Sequence, residues 1–189
     1  MITGGAHARN DGATGANARD ASASRHQAPP SELEVVVVAV LVDDLDPELP
    51  VETVSTGMAF CIVPLRSLEV SARLAIPQQA AQQYLAGTDA KFFFCVARAS
   101  QKSGAHWHNR MQFYNGEDPA TGSGSGCAIA YLVKHGAAAS GTPVVFEQGI
   151  EIERPSRIHV QATLTGTRIE NVFVGGRTIP IATGRLFLP

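Results

Sequence analysis

The pattern of apolar and polar positions along residues 31–189 predicts many strands and few helices. Runs of β-branched and aromatic residues are typical of strands. They predict strands at Met58–Pro64, Phe92–Arg98, Trp107–Tyr114, Pro143–Glu147, Arg157–Leu164, Ile169–Val174 and Thr178–Ala182. Gly175-Gly176 predicts a hairpin turn between the last two of these strands. We therefore expect a single α+β domain.

Two helices are predicted from residue spacing and from end signals. Pro77 suits a first helical position and predicts a helix over Gln78–Leu85. A second helix is predicted over Cys127–His135, because its apolar residues recur every three to four positions and Gly136 suits its end. The secondary structure of the run Glu32–Leu41 is left undecided between helix and strand. The capping box at Ser31 and Glu34 favours a helix, while the valines favour a strand.

The first 30 residues differ in composition from the rest of the chain. They hold eight Ala, four Gly and no aromatic residue. Such a segment buries too little apolar surface to offset the entropy lost on ordering. We expect residues 1–30 to be a disordered leader, followed by one folded domain over residues 31–189 in which Asp43–Pro50 is an acidic turn.

Composition and charge exclude several classes of protein. The 189 residues carry a formal net charge of -2, so a nucleic-acid binder that relies on a basic excess is not expected. The longest apolar run, Val35–Val42, is far shorter than the 18 or so residues of a membrane span. The three cysteines form no CxxC pair, which argues against a disulfide framework or a structural zinc site and favours the cytoplasm.

The segment Glu117–Gly126 carries most of the chemical information. A Gly-, Ser- and Thr-rich turn that leads into a helix leaves backbone N–H groups unpaired, and these donors suit a carboxylate or phosphate. The candidate donors are Thr121, Gly122, Ser123, Gly124, Ser125 and Gly126, and Asp118 lies just upstream as an acid, base or orienting group. The segment lacks the Lys of a phosphate-binding P-loop and the spacing of a dinucleotide fingerprint. A capped helix start in a crowded core remains the alternative.

Several motifs, in order along the chain, resemble the PhzF family of phenazine-biosynthesis-like isomerases. The heptad Glu117-Asp-Pro-Ala-Thr-Gly-Ser123 resembles the family's hallmark. Further blocks match before and after it: Val54-Ser-Thr-Gly-Met58, Val63-Pro-Leu-Arg-Ser-Leu68, Arg110-Met111 with Phe113, Gln148-Gly149, Glu153-Arg-Pro-Ser-Arg-Ile158 and Val174-Gly-Gly176. The resemblance covers roughly Glu32 to Leu188.

The resemblance implies a fold like that of diaminopimelate epimerase, in which each of two halves wraps a mixed, mostly antiparallel sheet around a central helix. By this resemblance Cys127–His135 is the central helix of the second half, and Asp118 and Ser123 are its catalytic residues. Thr121, Gly122 and Gly124 would bind the carboxylate of a small anionic substrate. The family moves a proton on small unsaturated acids, and the resemblance implies no cofactor and no metal.

The chain departs from the family in its first half. The family's general-base Glu and its Asn-Pro-Ala signature have no counterpart here. We therefore keep two hypotheses: an isomerase or a truncated form of one, and an inactive anion-binding half-domain. A half-domain would expose apolar surface, so a homodimer is expected. Two-thiol racemase chemistry is disfavoured because Ala120 stands where those relatives have Cys.

Three further groups of residues have competing interpretations. His106 and His108 would share a face of a strand, but no third metal ligand accompanies them. Arg154 and Arg157 are either a carboxylate clamp or a solvated turn pair. Cys127 is expected to be a buried core thiol.

Overall fold

A computed structural model of the chain describes residues 42–99, 104–114, 116–185 and 187. The expected leader and the ambiguous run Glu32–Leu41 lie outside the described residues. A short 3-10 helix, Val42–Asp44, opens the described part and is followed by turns up to Pro50. None of the helices in these ranges is both long and apolar enough to cross a membrane.

Most strands of the described residues belong to one seven-stranded sheet. In chain order its strands are β1 (Glu52–Ser55), β2 (Ala59–Pro64), β3 (Phe92–Arg98), β4 (Trp107–Arg110), β7 (Val144–Gln148), β8 (Ser156–Thr165) and β9 (Arg168–Gly176), and they neighbour one another in this order. Strands β5 (Gln112–Phe113) and β6 (Gly116–Glu117) form a separate hairpin. The pairs β2–β3 and β4–β7 are parallel, and the other neighbouring pairs are antiparallel. The sheet is therefore mixed and mostly antiparallel, as the resemblance implied.

Within the described ranges, three α-helices accompany the sheet: α1 (Leu68–Ala72), α2 (Gln78–Ala86) and α3 (Gly122–Lys134). Helix α3 contacts β1, β2, β3, β8 and β9, and all of its residues 124–133 are buried. The sheet thus curls around a central helix, which confirms the expected fold class. The opposite face of β2 and β3 packs against α1 and α2 through a second apolar cluster that includes Val70, Ala81 and Phe93.

The strand predictions near the site need one correction. The single strand expected over Trp107–Tyr114 is divided at Met111 into β4 and β5. The backbone C=O of Met111 accepts a hydrogen bond from the N–H of Asp118 at 2.9 Å, so at this point the chain pairs with its own next turn rather than with the sheet. This division brings Asp118 back against the end of β4.

The predictions at the C-terminal end are also partly wrong. Gly175 and Gly176 are the last residues of β9 and pair with β8, so they do not form the expected hairpin turn. The turn between β8 and β9 contains Gly166, whose φ of 61° favours glycine. Residues 178–182 form no strand. Ile179 and Ile181 are 83% and 94% exposed, so the burial that favours a strand is missing here. Strand β1 and helix α1 were not anticipated from the sequence.

Candidate functional site

The glycine-rich segment is part of the central helix rather than a turn before it. Helix α3 begins at Gly122, upstream of the predicted start at Cys127, and Thr121 is its extended N-cap residue. The first intrahelical hydrogen bond runs from the N–H of Ser125 to the C=O of Thr121 at 2.9 Å. The amides of residues 122–124 therefore precede the helical ladder and have no partner within it. They form the positive end of a 13-residue helix dipole.

Asp118 is half-buried, and its carboxylate holds the bend that leads into α3. Oδ1 accepts a hydrogen bond from the N–H of Ala120 at 3.2 Å, and Oδ2 accepts one from the hydroxyl of Thr121 at 2.8 Å. Each carboxylate oxygen has two acceptor positions. The bend uses one position on each oxygen and leaves the carboxylate able to accept a proton or a further hydrogen bond.

Gln148 contributes to the site, although the sequence analysis did not predict a role for its side chain there. Its side chain is completely buried, and its Oε1 accepts a hydrogen bond from the N–H of Thr121 at 3.2 Å. Its Nε2 donates to the backbone C=O of Asp118 at 2.7 Å and to the hydroxyl of Thr121 at 2.9 Å. Gln148 therefore ties the bend to strand β7. An amide at the end of the apolar strand Val144–Gln148 was the available signal.

The start of α3 borders a cleft of about 660 Å³. Ala120 and Gly122 line one part of it, and the ends of β8 and β9 line another with Ser156, Arg157 and Arg177. The volume lies within the usual range of about 300–1,000 Å³ for small-molecule sites. Arg157 thus faces a cavity, whereas Arg154 is exposed in the turn before β8.

The candidate residues hold different positions around this cleft. Gly122 lines it, while Asp118 and Ser123 are not among its lining residues, although each is within two residues of one that is. Ser123 is exposed, and Thr121 is buried beneath the bend. A Cβ on Gly124 would lie 2.5 Å from the ring of Phe94, so close packing alone accounts for glycine at that position.

A cluster of largely buried charged side chains adjoins the bend that contains Asp118. Arg110 donates to both carboxylate oxygens of Glu117, at 2.8 Å and 2.6 Å, and so fixes the residue before Asp118. His108 lies between two carboxylates, with Nδ1 3.2 Å from Glu147 and Nε2 2.8 Å from Glu151. Glu147 also lines the cleft. The cluster therefore connects the cleft wall to the interior of the domain.

The charges of this cluster shift each other's titration. Burial alone would lower the pKa of His108, but the hydrogen bonds and charges of Glu151 and Glu147 outweigh it and raise that pKa above its usual value. Burial likewise favours a raised pKa for Glu151, yet the bond to His108 and the nearby Arg110 hold it below its usual value. Both directions favour a charged imidazolium between carboxylates.

The remaining candidates for chemistry, His106 and Cys127, make contacts that are typical of residues with a structural role. His106 precedes β4 and accepts the N–H of Val145 at 3.0 Å, so the two histidines do not share a strand face as expected. In the ranges that the structure describes, no group of three or more His, Cys, Asp or Glu is placed to hold a metal ion. Cys127 is a buried core residue, as expected, and burial raises the pKa of its thiol.

Comparisons with known proteins identify what the chain resembles. A family model described as phenazine biosynthesis-like protein (PhzC-PhzF) matches residues 6–184. A trans-2,3-dihydro-3-hydroxyanthranilate isomerase from Pseudomonas fluorescens is 30% identical over 146 residues, which cover 76% of this chain and 50% of that protein. The isomerase of the same name from Pseudomonas aeruginosa is 37% identical over 89 residues, 46% of this chain and 32% of that protein.

A solved structure supports the fold. The PhzF-family phenazine biosynthesis protein of Bacillus anthracis superposes with a TM-score of 0.71 at 23% identity, over 85% of this chain and 56% of that one. At this identity the similarity establishes the fold alone. The chain spans about half the length or less of the curated relatives it matches.

Proposed function

Because this chain belongs to the phenazine biosynthesis-like (PhzC-PhzF) family, we propose that it forms one wall of an isomerase active site for small carboxylic acids. The reaction is a proton shift, in which a proton leaves one carbon of the substrate and returns at another. The proton is conserved and the double bond moves, so the reaction needs no redox cofactor. Two of the curated relatives are named trans-2,3-dihydro-3-hydroxyanthranilate isomerases.

The observation that carries the proposal is the start of α3 beside an open cleft. The amides of residues 122–124 have no helical partner, and Gly122 lines the cleft. A carboxylate placed there would gain two favourable interactions: hydrogen bonds from backbone N–H groups and attraction to the positive end of the helix dipole. In the proposal, Gly122, Ser123 and Gly124 contribute these amides, and the exposed hydroxyl of Ser123 adds a further donor.

Asp118 is the acid–base residue of this wall in the proposal. Its carboxylate keeps acceptor capacity after bonding Ala120 and Thr121, and those bonds fix its position relative to the helix start. A fixed carboxylate next to an anion site is suited to moving a proton to or from the carbon beside the bound carboxylate. A second acid–base group from outside this wall completes the transfer.

A second candidate function is an anion-binding module that associates with another protein chain and is not itself catalytic. The exposed apolar side chains after β9 favour it, since Ile179, Ile181 and Phe187 are 83%, 94% and 81% exposed. Apolar residues concentrated in one exposed segment are typical of an association surface. In this proposal the partner is a second copy of the chain, which gives a homodimer.

Proton exchange separates the two functions. The native protein is incubated in heavy water with trans-2,3-dihydro-3-hydroxyanthranilate, and deuterium uptake by the substrate is followed by NMR. The isomerase proposal expects uptake that falls at least 100-fold in Asp118→Asn and is unchanged in Asp89→Asn, an exposed Asp after α2. Binding of the acid without any enzyme-dependent uptake would support the non-catalytic module instead.

A further inference from the structure

A second cavity, of about 400 Å³, lies between helix α2 and strand β5. Its lining includes four aromatic residues, Phe92, Phe93, Phe113 and Tyr114, and we call it the aromatic pocket. It shares no lining residue with the cleft at the start of α3. Its volume lies within the usual range of about 300–1,000 Å³ for small-molecule sites. The aromatic pocket is therefore a separate candidate for ligand binding.

The two walls of the aromatic pocket are joined by hydrogen bonds. Gln112 of β5 accepts a hydrogen bond from the N–H of Ile76 at 2.7 Å, and its Nε2 donates to the C=O of Leu74 at 2.9 Å. Both backbone groups belong to the segment that leads into α2. These bonds hold β5 beside α2, so the space between them is formed before any ligand binds.

The interior and the opening of the aromatic pocket are both apolar. Phe93 is 2% exposed and stacks on Tyr84 of α2, with the ring centroids 5.7 Å apart. At the opening, Met58 and Tyr114 are 46% and 63% exposed, and Tyr114 meets Phe113 edge to face at 5.6 Å. Aromatic faces and edges attract further rings, and a methionine sulfur also packs well against a ring. The lining therefore suits an aromatic ligand.

The charge at the aromatic pocket is positive. Lys91 is exposed and lines the pocket, and no Asp or Glu is among the described lining residues. The backbone N–H of Lys91 donates to the C=O of Ala59 at 2.9 Å, which places it at the same end of β2 and β3 as Met58. An ammonium group on a flexible stem can reach an anionic group of a ligand that lies between the rings.

We propose that the aromatic pocket binds a small aromatic acid, with its rings between α2 and β5 and its acidic group at Lys91. The aromatic lining selects for a ring, and the positive charge of Lys91 selects for an anion. The site lies outside the cleft, so this inference goes beyond the proposed function and does not depend on it.

The test compares 2-naphthoate with 2-naphthamide, which has the same rings and no charge. Binding to the full ¹⁵N-labelled chain is followed by amide chemical shifts at constant ionic strength. We expect 2-naphthoate to shift the amides of Gln82, Leu85 and Phe113, since a bound ring changes the field at neighbouring amides. We expect 2-naphthamide to shift the same amides with about tenfold weaker affinity, because it lacks the contact with Lys91.

Two variants locate the rings and the acidic group. Gln82→Trp places a large side chain at an exposed position that lines the pocket and should abolish the shifts at Leu85 and Phe113. Gln83→Trp is its matched control, because Gln83 is the next exposed residue of α2 and does not line the pocket. It should leave binding unchanged.

Lys91→Gln should lower the affinity for 2-naphthoate about tenfold and leave that for 2-naphthamide unchanged. Its control is Arg66→Gln, which removes an equal charge at an exposed residue outside the pocket and should change neither affinity.

The outcomes that overturn the proposal are distinct from those that bear on the proposed function. Shifts confined to Gly122, Ser123 and Gly124 would overturn the second site and leave the proposed function intact. Equal affinities for 2-naphthoate and 2-naphthamide would overturn the role of Lys91 and with it the preference for an acid. Equal losses in Lys91→Gln and Arg66→Gln would do the same, since the charge would then act only through the net charge of the protein.

Discussion

Replacing Gly124 by Ala tests how tightly the start of α3 is packed. A Cβ at this position would lie 2.5 Å and 2.7 Å from two carbons of the Phe94 ring. Carbon atoms in ordinary contact are about 3.5–4.0 Å apart, so the methyl group would be roughly 1 Å too close. Phe94 is completely buried and cannot swing into solvent to make room.

The expected effect is a loss of stability that exceeds the gain in helix propensity. Overpacking a core costs about 1–3 kcal/mol. Alanine in place of glycine favours a helix by up to about 1 kcal/mol. With the full gain subtracted, we expect Gly124→Ala to lower the free energy of unfolding by up to about 2 kcal/mol, with an unchanged dependence on denaturant concentration.

Gly122→Ala is the matched control, since a Cβ there would meet no atom within 4 Å. Urea unfolding followed by circular dichroism should show no loss of stability for this variant. Phe94→Leu should reduce the penalty of Gly124→Ala in the double mutant, because the two residues are in direct contact. A Gly124→Ala protein as stable as Gly122→Ala would refute close packing between the helix start and Phe94.

Three further predictions concern the supports of the site and its association. Gln148→Met should lower the free energy of unfolding by about 2–4 kcal/mol and weaken benzoate binding in calorimetry, because the N–H of Thr121 and the C=O of Asp118 lose their hydrogen-bond partner. Gln83→Met, on the exposed face of α2, should change neither quantity. The raised pKa of His108 means that its ion pairs stabilise the fold fully below pH 6.5 and lose this contribution as pH rises through the folded-state pKa. Urea unfolding between about pH 6 and 9 should show this decline in the native protein and in His159→Gln, an exposed histidine, but not in His108→Gln. Light scattering should find a dimer for the native chain and a monomer for the double variant Ile179→Lys with Ile181→Lys. The control variant Thr178→Lys with Thr183→Lys adds the same charge nearby and should remain dimeric. A native monomer would contradict the proposed association surface.

The strands were predictable where local composition determines structure. Phe92–Arg98 was predicted with the bounds it has, since a run of aromatic and β-branched residues buried on both faces has few alternatives. Helix α2 was predicted to within one residue for a similar reason, with Pro77 immediately before it.

The predictions failed where tertiary contacts determine structure. The helix α3 starts in a glycine-rich segment of low helix propensity, because Phe94 and neighbouring strands pack closely against Gly124 and Gly126. Met111 interrupts an apolar strand because its carbonyl pairs with Asp118. Neither contact leaves a local pattern in the sequence.

The site was recognisable in part. The heptad from Glu117 to Ser123 predicted a bend that binds an anion, and the structure places Ala120 and Gly122 of that bend at a cleft. The binding of an anion there stays a prediction. Gln148 and Arg110 lie in blocks that resemble the family, but their role as supports of the bend was not predicted, because they reach it from other strands. Long-range hydrogen bonds of this kind depend on sheet register, which local spacing does not specify.

In the proposed function, a small carboxylate binds the backbone amides of residues 122–124 at the start of α3. Titration of the ¹⁵N-labelled chain with benzoate, read by amide chemical shifts, tests it directly, with benzamide as the uncharged control. If the amides bind a carboxylate, the amide signals of Gly122, Ser123 and Gly124 shift with benzoate and remain unchanged with benzamide. Signals that stay fixed with benzoate, or that shift equally with both compounds, would contradict it.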